Sequence, residues 1–151
     1  MVLLDQAGVH HAAVDLDQLN ELRPRPPDDF FQFALALRNL SAVWANYQQA
    51  GAERLLVATV VERRENIAAI GAAVPGSWVT TIRLRASVPV LQARALKRDP
   101  ASSWAQWHLD RAAVLADQME RDRLENHVVE NEGRSLREVA AEVLQLAGWS
   151  R

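Results

Sequence analysis

Arg54-Leu55-Leu56-Val57-Ala58-Thr59-Val60-Val61 is a continuous apolar run of strand length. It does not alternate, so it fits a parallel strand covered on both faces better than a half-exposed edge strand. Parallel strands need long crossover connections, which are usually helical. Helical periodicity flanks the run on both sides, and this places the chain in the α/β class.

The remaining segments follow the same alternation. Val2 to Gly8 reads as the last turns of a helix, with Gly8 as its stop, and residues 10–17 form a short strand ending in Asp15 and Asp17. Pro24, Pro26 and Pro27 make a loop of residues 22–29. Asp28 or Asp29 then caps a helix from about Phe30 to Ala50, whose buried face is Leu37, Leu40, Trp44 and Tyr47. Glu62 ends the apolar run, and a helix over about Arg64–Ala73 follows. Trp78 to Arg85 is β-branched and predicts the next strand.

Ser87 and Pro89 open a helix to about Arg98, broken by Asp99-Pro100. Ser102 or Ser103 starts another, through roughly Arg121. His127-Val128-Val129 is a fourth strand. Ser135-Leu136-Arg137-Glu138 is a capping box that opens a last helix to about Leu146, with Leu136, Val139, Val143, Leu144 and Leu146 toward the core. The 151 residues show no internal repeat and no linker, so a single α/β domain is expected.

Composition excludes several function classes. The net charge of −2 offers no global argument for nucleic acid or a membrane surface. Without cysteine there is no disulfide, thiolate catalysis or thiolate metal site. No apolar run approaches the ~20 residues of a membrane span, and the cytoplasm is the default expectation. His10 and His11 lack a third ligand at suitable spacing for a metal. Trp104, Trp107 and Trp149 have no accompanying basic groove and read as packing residues, while His108 and His127 stand isolated. No G-x-S-x-G elbow supports hydrolase chemistry.

From residue 12 onward, the order of motifs resembles small P-loop kinases of the nucleoside-monophosphate, shikimate, gluconate and adenylylsulfate kinase kind. Asp15-Leu16-Asp17 is similar to the acidic end of their second strand, and residues 55–62 and 78–85 to the third and fourth. Arg85-Ala86-Ser87, with Leu91, Arg94 and Arg98, resembles the strand-four exit and the arginine-bearing lid helix. His127 to Ser135 resembles the fifth strand and the loop near the adenine. The resemblance implies a three-layer αβα fold with a parallel sheet in the order 2-3-1-4-5, from which the first, central strand is missing.

The departure lies at the phosphates. There is no G-x-x-x-x-G-K-[ST] and no G-x-G-x-x-G, and the single lysine, Lys97, sits on a predicted helix. Two accounts arise: a start displaced by roughly 20 to 30 residues on family lengths, which we favour, or a degenerate paralogue. Without the central strand, the third and fourth would have to pair with each other or leave backbone groups unpaired.

The resemblance assigns roles. Asp15 or Asp17 would orient or deprotonate the acceptor hydroxyl, near the carboxyl end of a parallel strand where such sheets bind ligands. The other would help to hold magnesium through water, as would Glu62. Arg94 and Arg98 would neutralise charge on the transferring phosphoryl group, joined by Arg111. Arg38 would bind substrate, and Asn131 and Arg134 would touch adenine. ATP and magnesium are the expected cofactors, and the partners are a nucleotide and a small-molecule acceptor, with no nucleic acid or membrane.

As written, the chain is expected to turn over little or no ATP. The alternatives are a non-catalytic, kinase-derived binding or dimerisation module, self-associating through a strand edge, and a different α/β enzyme of flavodoxin-like order. Bland structural roles compete for each residue: Asp17 as a helix cap, the lid arginines as a solvated basic face.

Overall fold

The computed structural model describes residues 2–98 and 105–149. The chain is mixed α/β and divides into two compact units, residues 1–79 and 80–151. Each holds its own two-stranded parallel sheet.

The first unit opens with helix α1, Val2–Gln6, after which Gly8 turns the chain at φ +66°. Strand β1, His11–Asp15, pairs in parallel with β2, Arg54–Ala58, in a register running from His11 opposite Arg54 to Asp15 opposite Ala58. Helix α2, Phe33–Gln49, is the crossover between them, and α3, Arg64–Ala73, follows β2. Ala36, Leu40 and Trp44 recur every fourth residue on α2, the spacing of one helical face. They pack with Val14, Leu16, Ile70 and Val74 into one buried cluster, joined from β2 by the half-buried Leu55 and Val57.

In the second unit, β3, Ile82–Arg85, pairs in parallel with β4, His127–Glu130. Helices α4, Val88–Arg98, and α5, Ala105–Asp122, pack on each other, and α6, Leu136–Leu146, packs on β4. Among the described residues of this unit, the buried apolar side chains are few: Ala86, Val129 and Val139. The predicted box of α6 is formed, with Ser135 Oγ accepting the Glu138 amide at 3.3 Å and Glu138 Oε2 accepting the Ser135 amide at 2.8 Å.

Several boundaries differ from the sequence reading. The strand of residues 10–17 is β1 alone, because the chain turns into a 3-10 helix at Leu16–Leu19. With its partner gone, β2 stops at Ala58, so Thr59 to Glu62 are loop rather than strand. β3 begins only at Ile82, where β4 begins to pair, and Trp78 is 94% exposed in a loop. Neither Asp28 nor Asp29 caps α2; the residue before it is Gln32, buried and left-handed at φ 48°. Tyr47 and Leu136 are exposed, Leu136 at 89%, and Leu37 is half-buried. Asp99, Pro100, Ser102, Ser103 and Trp104 lie outside the described residues. Among the described residues the strands make two parallel pairs, one in each unit.

Candidate functional site

In the first unit, parallel pairing brings the carboxyl ends of β1 and β2 to one edge. Asp15 is the last residue of β1, and its Oδ1 accepts the Asp17 amide at 3.1 Å. It thereby caps the 3-10 turn, the role the sequence reading gave to Asp17. Asp17 lies within that turn, so the two carboxylates do not share a strand face. Both are exposed.

Glu62 is half-buried in the loop beyond β2, four residues past its end. It belongs to the approach to α3, where the Arg63 amide donates to Asn66 Oδ1 at 3.1 Å. Arg38 is exposed on α2. Its neighbour Asn39 ties that helix to the 3-10 turn, donating to the Leu19 carbonyl at 2.7 Å.

The loop after the turn is held at its base. Asn20 Nδ2 donates to the Phe31 carbonyl at 2.9 Å, and Gln32 Nε2 to the Leu22 carbonyl at 3.1 Å. Within it the Arg25 guanidinium lies 4.8 Å from the centre of the Phe30 ring.

In the second unit, the predicted residues gather where β3 and β4 end. The Asn131 amide donates to the Arg85 carbonyl at 2.8 Å, continuing the ladder by one bond. Arg94 Nη2, from α4, donates to the Asn131 carbonyl at 3.0 Å. Arg134 Nη1 donates to the Glu130 carbonyl at 3.0 Å and to Glu142 Oε2 at 2.6 Å. The structure thus brings Arg94, Asn131 and Arg134 around two successive carbonyls. Arg134 is held there by Glu142 as a brace across the loop. Arg111 lies half-buried on α5. Arg98 ends α4, and its side chain lies outside the described residues.

A charged network went unread in the sequence. Arg83 and Arg85 are two apart on β3 and share a sheet face. Arg83 Nη2 donates to Glu120 Oε1 of α5 at 2.5 Å, and Arg85 Nη1 reaches the same oxygen at 3.2 Å. Arg85 Nε donates to Glu130 Oε1 at 2.7 Å. Arg83 Nε stands 3.4 Å from Glu125 Oε1, near enough for an ion pair but not aligned as a hydrogen bond. The hydrogen bonds from Arg85 and Arg83 hold the Glu120 carboxyl below its ordinary range. Those from Arg85 to Glu130 and Glu120 raise the Arg85 guanidinium in turn. The one signal in sequence was the alternation Arg83-Leu84-Arg85; the acids lie 35 or more positions away.

No family model, curated protein or solved structure matches the chain. The site's chemistry therefore rests on its own residues. Among the described residues, none of the positive-φ glycines opens a helix as a cradle for a nucleotide's phosphates. Four of the positive-φ glycines, Gly8, Gly51, Gly76 and Gly148, follow helices instead of opening them, and the fifth, Gly133, lies in the turn before α6. Lys97 is exposed near the end of α4. Among the described residues, no group of three or more acids or histidines is placed to hold a metal. None of the described helices is long and apolar enough to cross a membrane.

Proposed function

We propose that residues 1–151 carry the acceptor and lid portion of a small-molecule phosphotransferase of the P-loop kinase class, a chain without that class's phosphate-binding loop. One observation carries the reading. The order 2-3-1-4-5 contains two flanking pairs, second with third and fourth with fifth, and the parallel pairs β1–β2 and β3–β4 support the reading by matching that pattern.

The candidate residues support the reading by position. Asp15 stands at the carboxyl end of β1, and Arg94 at the carboxyl ends of β3 and β4, the places where open parallel sheets hold ligands. On this reading Asp15 serves the acceptor, Asp17 and Glu62 a metal-bound water, Arg38 the substrate, and Arg94, Arg98 and Arg111 the developing negative charge. No step is assigned to ATP, because the residues present do not fit its phosphates.

The test begins with the coding frame upstream of Met1. The proposal expects an in-frame G-x-x-x-x-G-K-[ST], and an extended chain that binds ATP with magnesium in calorimetry. A stop codon directly upstream would leave a kinase-derived binding module instead. Magnesium-dependent ATP turnover by residues 1–151 alone would remove the need for any missing loop and refute the proposal.

A further inference from the structure

Helices α4 and α5 pack on each other more closely than either packs on the sheet. α5 has no fully buried residue among those described, and Leu96, Trp107 and Val114 are exposed along the pair. The apolar side chains of α5 are half-buried at most, and two carboxylates add polar attachment, one at the start of α4 and one toward the end of α5.

At the start of α4, Glu132 Oε2 accepts the Ser87 amide at 2.9 Å. Pro89 contributes no amide, so the Ser87 N–H is one of few free donors at that terminus. Alongside, Arg94 binds the Asn131 carbonyl and locks the same loop to the same helix. Toward the end of α5, Glu120 accepts from Arg83 and Arg85 of β3.

The charges facing these acids are defined. Glu120 meets Arg83 and Arg85; Arg85 is shared with Glu130, and Arg83 with Glu125. Glu132 meets the amide and hydroxyl of Ser87 and the field of Arg94. Both carboxyls lie below their ordinary range, chiefly through these hydrogen bonds, so both are ionised at neutral pH.

We infer that Glu120 and Glu132 are clasps that fasten the α4–α5 pair to the β3–β4 sheet, and that opening both lets the pair move away while the sheet and α6 stay formed. The inference does not depend on the kinase reading. It needs only that polar contacts help to hold a helical pair with no fully buried residue described on α5; of these contacts, the exposed ion pair of Glu120 with Arg85 weakens as salt rises.

The chain has no cysteine, so spin labels can be placed without background. Val114→Cys on α5 and Leu136→Cys on α6 use exposed positions. Pulsed electron-electron resonance then reads their separation in the full chain. The inference expects one narrow distribution with the clasps intact. It expects a broad or second population in Glu120→Gln/Glu132→Gln, with far-UV circular dichroism and amide protection of β4 and α6 retained. The labelled Glu132→Gln chain, which keeps Glu120, is also measured at ~0.05 M and ~1 M salt, where the screening length falls to about 3 Å and the Glu120 ion pairs weaken, and it should broaden in the same way. If the double variant does not fold, the salt comparison decides alone. Distributions that superpose under every condition measured would overturn the inference.

Discussion

Arg85 and Glu130 stand opposite each other as the last register pair of β3 and β4, with Arg85 Nε donating to Glu130 Oε1 at 2.7 Å. A cross-strand charge pair at that point marks where the ladder ends and the loop chemistry begins. Beside it lies a more sheltered pair. The side chains of Arg83 and Glu125 are only 10% and 9% exposed, and burial decides which of the two pairs matters for stability.

Removing one partner of the sheltered pair leaves a charge with little water to solvate it. Glu125→Leu should therefore destabilise the second unit by about 2 kcal/mol, below the full cost of breaking a buried pair because Glu120 still reaches Arg83. Urea unfolding followed by amide exchange at β4 measures this. A Glu125→Leu chain as stable as the parent would show that the pair is already solvated.

Leu40 is 0% exposed at the centre of the first unit's core, whereas Tyr47 on the same helix is 40% exposed. Leu40→Ala should cost roughly 3 kcal/mol through lost transfer and a residual cavity. Tyr47→Ala should stay within about 0.5 kcal/mol, as surface changes do. Equal effects in denaturant titrations would contradict the burial pattern of α2.

Gly51 ends α2 at φ +96°, and a Cβ there would meet only His10 Nδ1, at 3.6 Å. Space is adequate, so the cost of Gly51→Ala is conformational, about 1 to 2 kcal/mol. Thermal unfolding of this variant beside Gly71→Ala, a helical glycine at ordinary φ whose Cβ would lie 3.5 Å from Val79 Cγ2, separates backbone strain from contact.

Glu120, Glu132 and Glu138 are all more acidic in the folded chain than their ordinary value of 4.5, each through hydrogen bonds to its carboxylate. Groups lowered on folding contribute stability that is fully present above the unfolded value and fades as pH falls through the folded one. Loss should therefore begin below about pH 4.5 and deepen further down. Glu120→Gln/Glu132→Gln/Glu138→Gln should flatten that acid limb in circular dichroism titrations, and coincident curves would sink the prediction.

Much of the secondary structure and the mixed α/β class were legible in the chain. Arg64–Ala73 and the Ser135 box were readable because their signals are local: a capping acid three residues on, and apolar positions at helical spacing. Strand lengths were not, because a ladder extends only as far as its partner. Thr59-Val60-Val61 is as apolar as β2 itself, yet β1 has already turned into the 3-10 helix. The same holds for Trp78-Val79-Thr80, which precede any partner.

At the site, Asp15 and Arg94 could be singled out by residue type and position. Their actual bonds, to the Asp17 amide and the Asn131 carbonyl, are products of turn geometry and of contacts 37 residues apart. The left-handed Gln32 left no trace in sequence, since glutamine is not a residue that announces such a conformation.

The bond from Ser87 to Glu132 spans 45 positions, and it has a consequence for the order of synthesis. At about 5 to 20 residues per second, the ribosome delivers Glu132 roughly 2 to 9 s after Ser87. During that interval the first turn of α4 has neither its carboxylate nor β4 beside it, so α4 and α5 emerge as a nascent pair awaiting their anchor. A translational pause before codon 132 would lengthen that vulnerable period, and faster decoding there would shorten it.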